Sequence, residues 1–378
     1  MTPPARLIDF TRTLRRAGRI PTGIDRVERA YIQALVAHDV PSFGLARTRL
    51  GYLLLDTKGL AHLTAHWDDA QLLSHARRVS ISRTVPFGLK RMLRRQLPAS
   101  LSYLNVGHSN ITERVCTAVK AIPGARFAAF VHDVIPLEHP QFQRAETAAT
   151  FERMLRLVGQ HADDVLTNSQ DTLDRTLGAL SGWGYEPRGH VAHLGVAPVQ
   201  PDPKALPNSA RLDGPYFVAL GTVEPRKNHA FLLDIWEELG EEAPHLVIIG
   251  ARGWADQSLF DRLDALPAEG KIRVLDNLPD KAGAHVVAQA SALLFPSHAE
   301  GFGLPAVEAA ALGTRIIAND LPVFREVLGN IPIYASVQDR YLWIKTIKEV
   351  AKSGSTRTIE PFAPPTWEAH FKTVLSVA

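Results

Sequence analysis

Residues 292–318 of this chain are ALLFPSHAEGFGLPAVEAAALGTRIIA. The apolar run ALLFP is typical of a buried strand, the run from Leu304 has helical spacing, and RIIA is again strand-like. Glycine and proline lie near the junctions between these runs, where a chain turns. Strand, helix and strand in this order indicate a right-handed crossover between two parallel strands of one sheet.

The same alternation of strand and helix patterns runs through the second half of the chain. Earlier strand-like runs are YFVAL at Tyr216, HLVIIG at His245 and IRVL at Ile272, with helical patterns in the intervals. Strands that alternate with helices in this way predict a parallel sheet with helices on both faces. We therefore expect a Rossmann-like domain in this half.

The first half repeats the pattern less regularly. Its predicted buried strands include FAAFV at Phe127, DVLTNS at Asp164 and HVAHLG at His190. The sequence thus predicts an α/β protein with two facing Rossmann-like domains. Since ligands of open α/β sheets bind beyond the carboxyl ends of the strands, the expected active site is an interdomain cleft.

A proline-rich segment predicts the domain boundary. The chain has 378 residues, which is too long for one ordinary compact core, and residues 197–215 contain five prolines without strand or helix periodicity. We place an N-terminal domain at 1–205 and a C-terminal domain at 206–365. Residues 366–378 have amphipathic spacing and are expected to form a helix that packs back across the domains.

Composition excludes several classes of protein. The only cysteine is Cys116, which excludes an internal disulfide framework and a cysteine-based zinc cluster. No run approaches the roughly 18 to 20 apolar residues of a membrane span, and the first residues lack the pattern of a secretory signal. We expect a folded, cytoplasmic protein without a structural metal.

Charge is distributed unevenly along the chain. Residues 1–100 hold 17 Lys/Arg against 7 Asp/Glu, whereas residues 211–378 hold 16 against 21. One basic cluster contains Arg12, Arg15, Arg16 and Arg19, and a second contains Arg83, Lys90, Arg91, Arg94 and Arg95. Basic and apolar residues at helical spacing suit a peripheral position on an anionic membrane, and the alternative is a solvated helix face. Binding to nucleic acid is not expected, because no recognised module accompanies the charges.

Two acidic residues flank the glycine-rich turn in the quoted stretch. Glu300 lies between strand and helix, and Glu308 lies eight residues later, inside the helix. Glycines at 301 and 303 allow backbone N–H groups and the helix N-terminus to approach an anion closely. A sugar diphosphate suits this loop. The alternative is a tight turn with Glu308 as a surface carboxylate.

EGFGLPAVE resembles the E-x7-E signature of the family 4 retaining glycosyltransferases, which have the GT-B fold. GTVEPRKNHAFLLDIW from Gly221 is similar to the donor-phosphate loop of that family. Further similar stretches are PTGIDRV at Pro21, YLNVGHSN at Tyr103, FVHDVIPLEHP at Phe130, LTNSQDT at Leu166 and AHLGV at Ala192. These motifs cover most of the chain in the order that the family has.

The resemblance implies a nucleotide-sugar donor site in the C-terminal domain. Lys227 is expected to bind diphosphate oxygens, and Arg226 to supply the cation that the family places at the position of Thr222. Glu308 is expected to accept hydrogen bonds from ribose hydroxyls, and Glu300 to contact the transferred sugar. The residues expected to present backbone donors at the start of the helix are Gly301, Phe302, Gly303 and Leu304.

The N-terminal domain is expected to bind the acceptor. His132 follows the strand FAAFV, so it is placed at a strand's carboxyl end, and the resemblance implies a contact with the donor sugar near the reacting carbon. The catalytic residues predicted in this way are His132, Glu300 and Lys227. Further predicted residues of the acceptor side are Gly23, Arg26, His108, Asn168 and Ser169.

The implied activity is retaining transfer of a hexose from a nucleotide-sugar to a saccharide or lipid-linked saccharide, as in polysaccharide biosynthesis. No Asp-x-Asp, HExxH or GxxxxGK[ST] motif occurs in the chain, so we expect neither a metal nor another cofactor. The alternatives are a non-catalytic sugar-nucleotide-binding protein and a GT-B epimerase. Release of nucleoside diphosphate with and without acceptor separates these cases.

Overall fold

The computed structural model describes residues 3–207, 210, 214–276, 278–353 and 362–378. The chain forms two compact units. The first contains Met1–Leu137, Ala148–Leu194 and Trp367–Ala378, and the second contains Glu138–Thr147 and Gly195–Thr366. The chain therefore passes from one unit to the other four times.

Strands and helices alternate along most of the described chain. The strands are β1 (Arg6–Asp9), β2 (Ser42–Thr48), β3 (Gly51–Leu55), β4 (Ser82–Thr84), β5 (Ser102–Asn105), β6 (Arg126–Val131), β7 (Asp164–Thr167), β8 (Arg188–Val191), β9 (Tyr216–Leu220), β10 (His245–Ile249), β11 (Ile272–Leu275), β12 (Ala292–Phe295), β13 (Ile316–Ala318) and β14 (Ile333–Tyr334). The helices are α1 (Thr11–Arg15), α2 (Gly23–Ala37), α3 (Thr57–Thr64), α4 (Leu72–Val79), α5 (Leu89–Gln96), α6 (Glu113–Lys120), α7 (Ile135–Glu138), α8 (Thr147–His161), α9 (Gln170–Gly182), α10 (His229–Leu239), α11 (Gln257–Asp264), α12 (Asp280–Gln289), α13 (Leu304–Ala311), α14 (Pro322–Leu328), α15 (Arg340–Lys352) and α16 (Trp367–Val377).

Each unit is built on one sheet. Within the described residues, the sheet of the first unit has the order β4-β3-β2-β1-β5-β6-β7-β8, and that of the second has the order β11-β10-β9-β12-β13-β14. All pairings are parallel except those of β3 with β2 and β4. The strands β1, β5, β7, β12 and β13 are buried along their whole length, as is typical of parallel sheets that helices cover on both faces. The two predicted Rossmann-like domains are thereby confirmed.

The boundary between the units differs from the predicted one. The units meet in sequence at Leu194 and Gly195, so residue 205 lies inside the second unit. In the described part of the proline-rich segment, Pro203–Ala205 form a 3-10 turn, and Asp202 N–H donates to the carbonyl of Lys281 at 3.2 Å. Residues 208, 209 and 211–213 of that segment lie outside the described residues.

Helix α16 belongs to the first unit, whereas the sequence predicted that it would pack across both domains. His370 Nδ1 donates to the carbonyl oxygens of Ala192 and His193 at 3.1 and 3.0 Å. Its Nε2 accepts from the Tyr31 hydroxyl at 2.9 Å. Burial lowers the pKa of His370 to about 4, so the imidazole is neutral at pH 7 and holds the helix to α2 without a charge.

None of the helices that the structure describes combines the length and the apolarity required to cross a bilayer.

Candidate active site

The donor loop predicted from the sequence and the glycine-rich turn come together at one edge of the second sheet. Lys227 lies shortly after β9, and Glu300 lies shortly after β12. These two strands are parallel neighbours, with Phe217 opposite Ala292 and Val218 opposite Leu293. They are also the pair at which the strand order reverses direction, which is where open α/β sheets bind ligands.

The loop after β9 has a backbone conformation that requires glycine. Gly221 has a φ of +142°, and its carbonyl oxygen would lie 1.9 Å from a Cβ built on Gly250. The backbones of two neighbouring loops therefore touch at these glycines. The chain then forms a 3-10 turn at Pro225–Lys227 and enters α10 through Asn228, whose φ is +57°. This turn places Arg226 and Lys227 beside the loop that follows β12.

Glu300 forms ion pairs with both cations of that turn. Its Oε1 lies 2.5 Å from Lys227 Nζ, and its Oε2 lies 2.6 Å from an Arg226 guanidinium nitrogen. The side chains of Glu300 and Lys227 are 7% and 9% exposed, so both charges are largely removed from water. Arg226 also donates to the carbonyl of Ala299 at 3.0 Å. The pairing fixes the glutamate and both cations in one arrangement.

Glu224 completes the charge balance of this network. Its Oε1 lies 2.6 Å from Arg226, and its side chain is 5% exposed. Two carboxylates therefore face two cations. Glu224 was not predicted from the sequence, although its position directly before Pro225 in the donor-loop motif was an available signal.

The protonation states follow from these pairs. Burial raises the pKa of Glu300, but the cations of Arg226 and Lys227 outweigh it and bring that pKa to about 2. Burial lowers the pKa of Lys227 from its ordinary value, against the attraction of Glu300. The Lys227 ammonium also lies 4.7 Å from the centroid of the Phe295 ring, a cation–π distance. Lys227 is thus a buried cation that is paired with Glu300.

The glycine-rich turn leads into α13 through a left-handed residue. Gly303 has a φ of +79°, and a Cβ at this position would lie 2.5 Å from the Phe324 ring. Phe302 is buried, and Leu304 is the first residue of α13. Gly303 is therefore required both by the backbone conformation and by the close approach of Phe324. The loop presents its backbone at the helix N-terminus, where the helix dipole favours an anion.

Glu308 and Thr222 occupy different surroundings from Glu300. Glu308 is the fifth residue of α13 and is half-buried, and Thr222 is exposed beside Gly221. Among the residues predicted for the donor site, the structure joins Arg226, Lys227 and Glu300 in direct contact.

In the first unit, His132 is buried at the carboxyl end of its strand. It follows β6 as predicted, but it is only 5% exposed, and its Nε2 donates to the carbonyl of Val106 at 2.7 Å. Burial, together with the charge of nearby His108, lowers the pKa of His132 well below its usual value. The imidazole is therefore neutral and ties two strand ends together.

His108 and Asn168 lie next to His132. The ring centroids of His108 and His132 are 5.0 Å apart, and His108 Nε2 donates to the carbonyl of Phe130 at 2.9 Å. Asn168 Nδ2 donates to the carbonyl of His132 at 2.9 Å. These three predicted residues therefore share one edge of the first sheet, at the ends of β5, β6 and β7.

The other predicted residues of the acceptor side lie at helix starts. Ser169 is the N-cap of α9 and accepts from the N–H of Thr172 at 3.1 Å. Gly23 is the first residue of α2, and Arg26 is exposed one turn later. Ser169 therefore has a structural role in starting its helix, whereas Arg26 faces solvent.

Asp9 and Glu28 are buried carboxyl groups of the first unit that were not predicted. Asp9 is the last residue of β1 and accepts from Asn110 Nδ2 at 2.7 Å. Glu28, on α2, accepts from the N–H of Thr13 at 2.7 Å, while its second oxygen has no hydrogen-bond partner. Burial raises the pKa of Asp9 to about 6 and that of Glu28 to about 8. A sequence pattern gives no sign of them, since both are single acids in ordinary contexts.

Replacing Glu28 by glutamine should remove part of the pH dependence of folding. The folded-state pKa of Glu28 is raised from 4.5 to about 8, so the wild-type chain loses stability as the pH rises through that interval. A difference of one in pKa between the folded and unfolded chain corresponds to roughly 1.4 kcal/mol. Urea unfolding at pH 5 and pH 8 should therefore show a larger stability loss for wild type than for Glu28→Gln. Equal losses would mean that Glu28 is already ionised when folded.

Comparison with known proteins decides the family of the second unit. Residues 204–333 match the family described as glycosyl transferases group 1. This stretch is a glycosyl transferases group 1 domain. It contains Lys227, Glu300 and Glu308, so the predicted donor site lies wholly within it. The resemblance drawn from EGFGLPAVE is confirmed.

Curated relatives of the group 1 domain include mannosyltransferases. The chain is 33% identical over 222 residues to the serotype-specific mannosyltransferase WbdA of Escherichia coli. This match covers 53% of this chain and 27% of that protein. It is 35% identical over 127 residues to the O-antigen chain mannosyltransferase B of Escherichia coli, covering 33% of each protein. The chain thus matches about a quarter to a third of the length of these relatives.

A solved structure supports the fold of the whole chain. Anabaena Alr3699/HepE, solved in complex with UDP-glucose, has a TM-score of 0.62 and 14% identity, and the match covers 98% of this chain and 95% of that one. At that identity the similarity concerns the fold alone. Each of the two units is Rossmann-like. The GT-B fold class predicted from the sequence is therefore confirmed.

Proposed function

We propose that this protein is a glycosyltransferase that moves a sugar from a nucleotide-sugar donor to a saccharide or lipid-linked saccharide acceptor, with retention of anomeric configuration and without a metal. The observation that carries the proposal is the buried contact of Glu300 with Lys227 and Arg226 inside the group 1 domain. The contact holds two kinds of group at the same point. The carboxylate can bind sugar hydroxyls, and the two cations can bind diphosphate.

Donor binding requires an exchange of partners in this network. Glu300 neutralises Lys227 and Arg226 through its two ion pairs. A diphosphate brings negative charge to the same cations, so Glu300 is then free to accept hydrogen bonds from the transferred sugar. Backbone N–H groups at Gly301–Leu304 and the dipole of α13 add to the binding of the diphosphate. Glu308 accepts hydrogen bonds from the ribose.

The transfer step follows from the same groups. The bond between the anomeric carbon and the donor phosphate oxygen breaks through an oxocarbenium-like state, and the acceptor oxygen forms its bond on the same face. The acceptor proton passes to the phosphate oxygen that leaves. Lys227 and Arg226 stabilise the charge that grows on the diphosphate, which is where preorganised cations lower a barrier most.

The acceptor is assigned to the first unit. Gly23, Arg26 and His108 are proposed to line its site, with His132 and Asn168 fixing the strand ends from which that site is built. His132 holds Val106 through its ring and Asn168 through its carbonyl. Its contribution is therefore the position of these strand ends.

Mannose is the proposed sugar of the donor, since the two relatives described above are named as mannosyltransferases. A polysaccharide of the O-antigen kind is the corresponding acceptor class. The experiment is an assay with mannose and glucose nucleotides of uridine and guanosine, with and without a mannose-containing oligosaccharide. Acceptor-dependent release of nucleoside diphosphate with an extended saccharide supports the proposal. Binding without release would indicate a sugar-nucleotide-binding protein, and release without acceptor an epimerase or hydrolase.

An anionic membrane surface is proposed as a second partner of the first unit. The apolar face of α5 packs into the core, since Leu89, Met92 and Leu93 are buried, so this helix cannot lay that face on a bilayer as the sequence suggested. The exposed apolar side chains lie just before it: Val85 is 62% and Phe87 90% exposed. They directly precede α5 and its exposed arginines in the sequence, and exposed apolar side chains together with basic ones are the composition of a peripheral membrane contact.

Neutralising Arg91, Arg94 and Arg95 to glutamine should weaken binding to vesicles that contain anionic lipid. Each charge near such a surface contributes about 1 kcal/mol, so a loss of tenfold or more is expected. Phe87→Ser should weaken binding further, and added salt should weaken that of wild type. The matched control replaces Lys345, Lys348 and Lys352 of α15. If wild type does not cosediment with the vesicles, or if both triple variants cosediment equally, the α5 arginines form a solvated helix face and do not bind a membrane.

A further inference from the structure

Three histidines of the first unit lie together at the junction of α3 and α4. His62 is on α3, His66 follows the end of that helix, and His75 is on α4. One ring nitrogen from each lies within 4.8 Å of the others. His62 Nε2 and His75 Nδ1 lie 3.2 Å apart. All three side chains are half-buried, so a small ion can reach them from solvent.

Hydrogen bonds select which nitrogens carry lone pairs in this cluster. His75 Nε2 donates to the Asp69 carboxylate at 3.0 Å, which leaves Nδ1 unprotonated and directed at His62. His66 Nδ1 donates to the carbonyl of His62 at 2.8 Å, which leaves Nε2 unprotonated. A histidine held by a carboxylate or a backbone carbonyl through its second nitrogen is the usual arrangement around a metal ion. Two of the three rings have it.

A cation already lies against these nitrogens. Arg78 Nη2 is 3.2 Å from His75 Nδ1 and 3.4 Å from His62 Nε2. The guanidinium is exposed, so it can turn away into water at little cost. The other charged group at the cluster is Asp69, whose second oxygen accepts from the N–H of Gln71 at 2.7 Å. Arg78 therefore occupies the position that a bound ion would take.

We propose that His62, His66 and His75 bind one divalent transition-metal ion, with Asp69 orienting His75 and with Arg78 displaced on binding. Imidazole donors favour Zn²⁺, Ni²⁺ and Cu²⁺ over Mg²⁺ and Ca²⁺. Zinc binds imidazole nitrogen at about 2.0–2.1 Å, which sets two tetrahedral ligands about 3.3 Å apart, close to the separation of His62 Nε2 and His75 Nδ1. The cluster uses no cysteine, so the composition argument against zinc does not apply to it.

The cluster shares no residue with the proposed donor and acceptor sites. Its residues belong to the first unit, whereas Lys227 and Glu300 belong to the second. An ion at this position links α3 to α4 across the loop of residues 65–71. The expected consequence is stabilisation of that part of the first unit, because an ion that binds only the folded chain shifts the folding equilibrium.

The test titrates the full chain, without a histidine tag, with Zn²⁺ by calorimetry and with Co²⁺ by absorption spectroscopy. Wild type should bind one ion at the cluster, and Co²⁺ should show the visible bands of nitrogen coordination. Asp69→Asn should weaken zinc binding by about tenfold to 100-fold, and His75→Ala should weaken it more. Arg78→Ala should bind zinc at least as tightly as wild type, since the competing cation is removed.

His161→Ala is the matched control, because His161 also contacts a carboxylate, that of Glu113 at 3.1 Å, but lies outside the cluster. It should bind zinc as wild type does. Two results would overturn the proposal. One is that wild type does not bind zinc, and the other is that His75→Ala and His66→Gln bind zinc as wild type does. Should His75→Ala fail to fold, as judged by circular dichroism, His66→Gln and Arg78→Ala decide the question on their own.

Discussion

Replacing Lys227 by alanine is expected to reduce turnover about 100-fold to 1000-fold, the range found when one preorganised donor to a developing negative charge is removed. Lys227 Nζ is the buried cation closest to Glu300, and it lies in the loop proposed to hold the diphosphate. Negative charge on the diphosphate increases as the glycosidic bond breaks. Removing Lys227 therefore takes more stabilisation from the transition state than from the bound donor. Steady-state kinetics beside calorimetric titration with nucleoside diphosphate measures both effects.

The matched control is Lys271→Ala, an exposed lysine of the same unit. It should leave kcat unchanged. If Lys227→Ala lowered nucleoside diphosphate affinity and turnover by the same factor, Lys227 would contribute uniform binding and not stabilisation of the leaving group. If neither changed, the diphosphate would bind elsewhere.

Glu300→Gln is expected to destabilise the second unit by about 3 kcal/mol at neutral pH. Removing one partner of a buried ion pair leaves the other charge uncompensated, and here Lys227 would remain buried without its carboxylate. The pKa of Glu300 is lowered from 4.5 to about 2, so its contribution is fully present above the unfolded value and is lost as the pH falls from 4.5 towards 2. Urea unfolding of wild type and Glu300→Gln at several pH values measures this contribution.

The free energies of unfolding of wild type and Glu300→Gln should therefore differ most near pH 7 and become similar in acid. Glu308→Gln serves as the control, because Glu308 is a half-buried carboxylate on α13 of the same unit, whereas Glu300 is 7% exposed. A difference between wild type and Glu300→Gln that stayed constant down to pH 3 would mean that the charge of Glu300 is not what stabilises the folded chain.

The contact of Lys227 with Glu300 was predictable in outline. Alternating strands and helices predict a parallel sheet, and the loops after two strands of such a sheet meet at one edge. The sequence did not establish that β9 and β12 are neighbours, because strand order depends on how the whole sheet assembles. Nor did it indicate that Glu300 would neutralise both cations, since ion pairing depends on distances of a few ångströms.

Burial was the property that the sequence indicated least. His132 was placed correctly after its strand, but whether its ring faces solvent or Val106 depends on the packing of neighbouring strands. Asp9 and Glu28 were missed for the same reason, because a single acid in an amphipathic pattern gives no sign that its carboxyl group is enclosed. The apolar residues of α5 were identified correctly, yet their partner is the core of the first unit.

The path of the chain between the units constrains how the protein is made on the ribosome. The first unit includes Trp367–Ala378, and Val374 and His370 of that segment are buried in it. Synthesis proceeds from the N-terminus, and domains generally fold as they emerge. Here the first unit stays incomplete until after the whole of the second has been translated, so the nascent chain carries an uncovered apolar surface around Tyr31 throughout that interval.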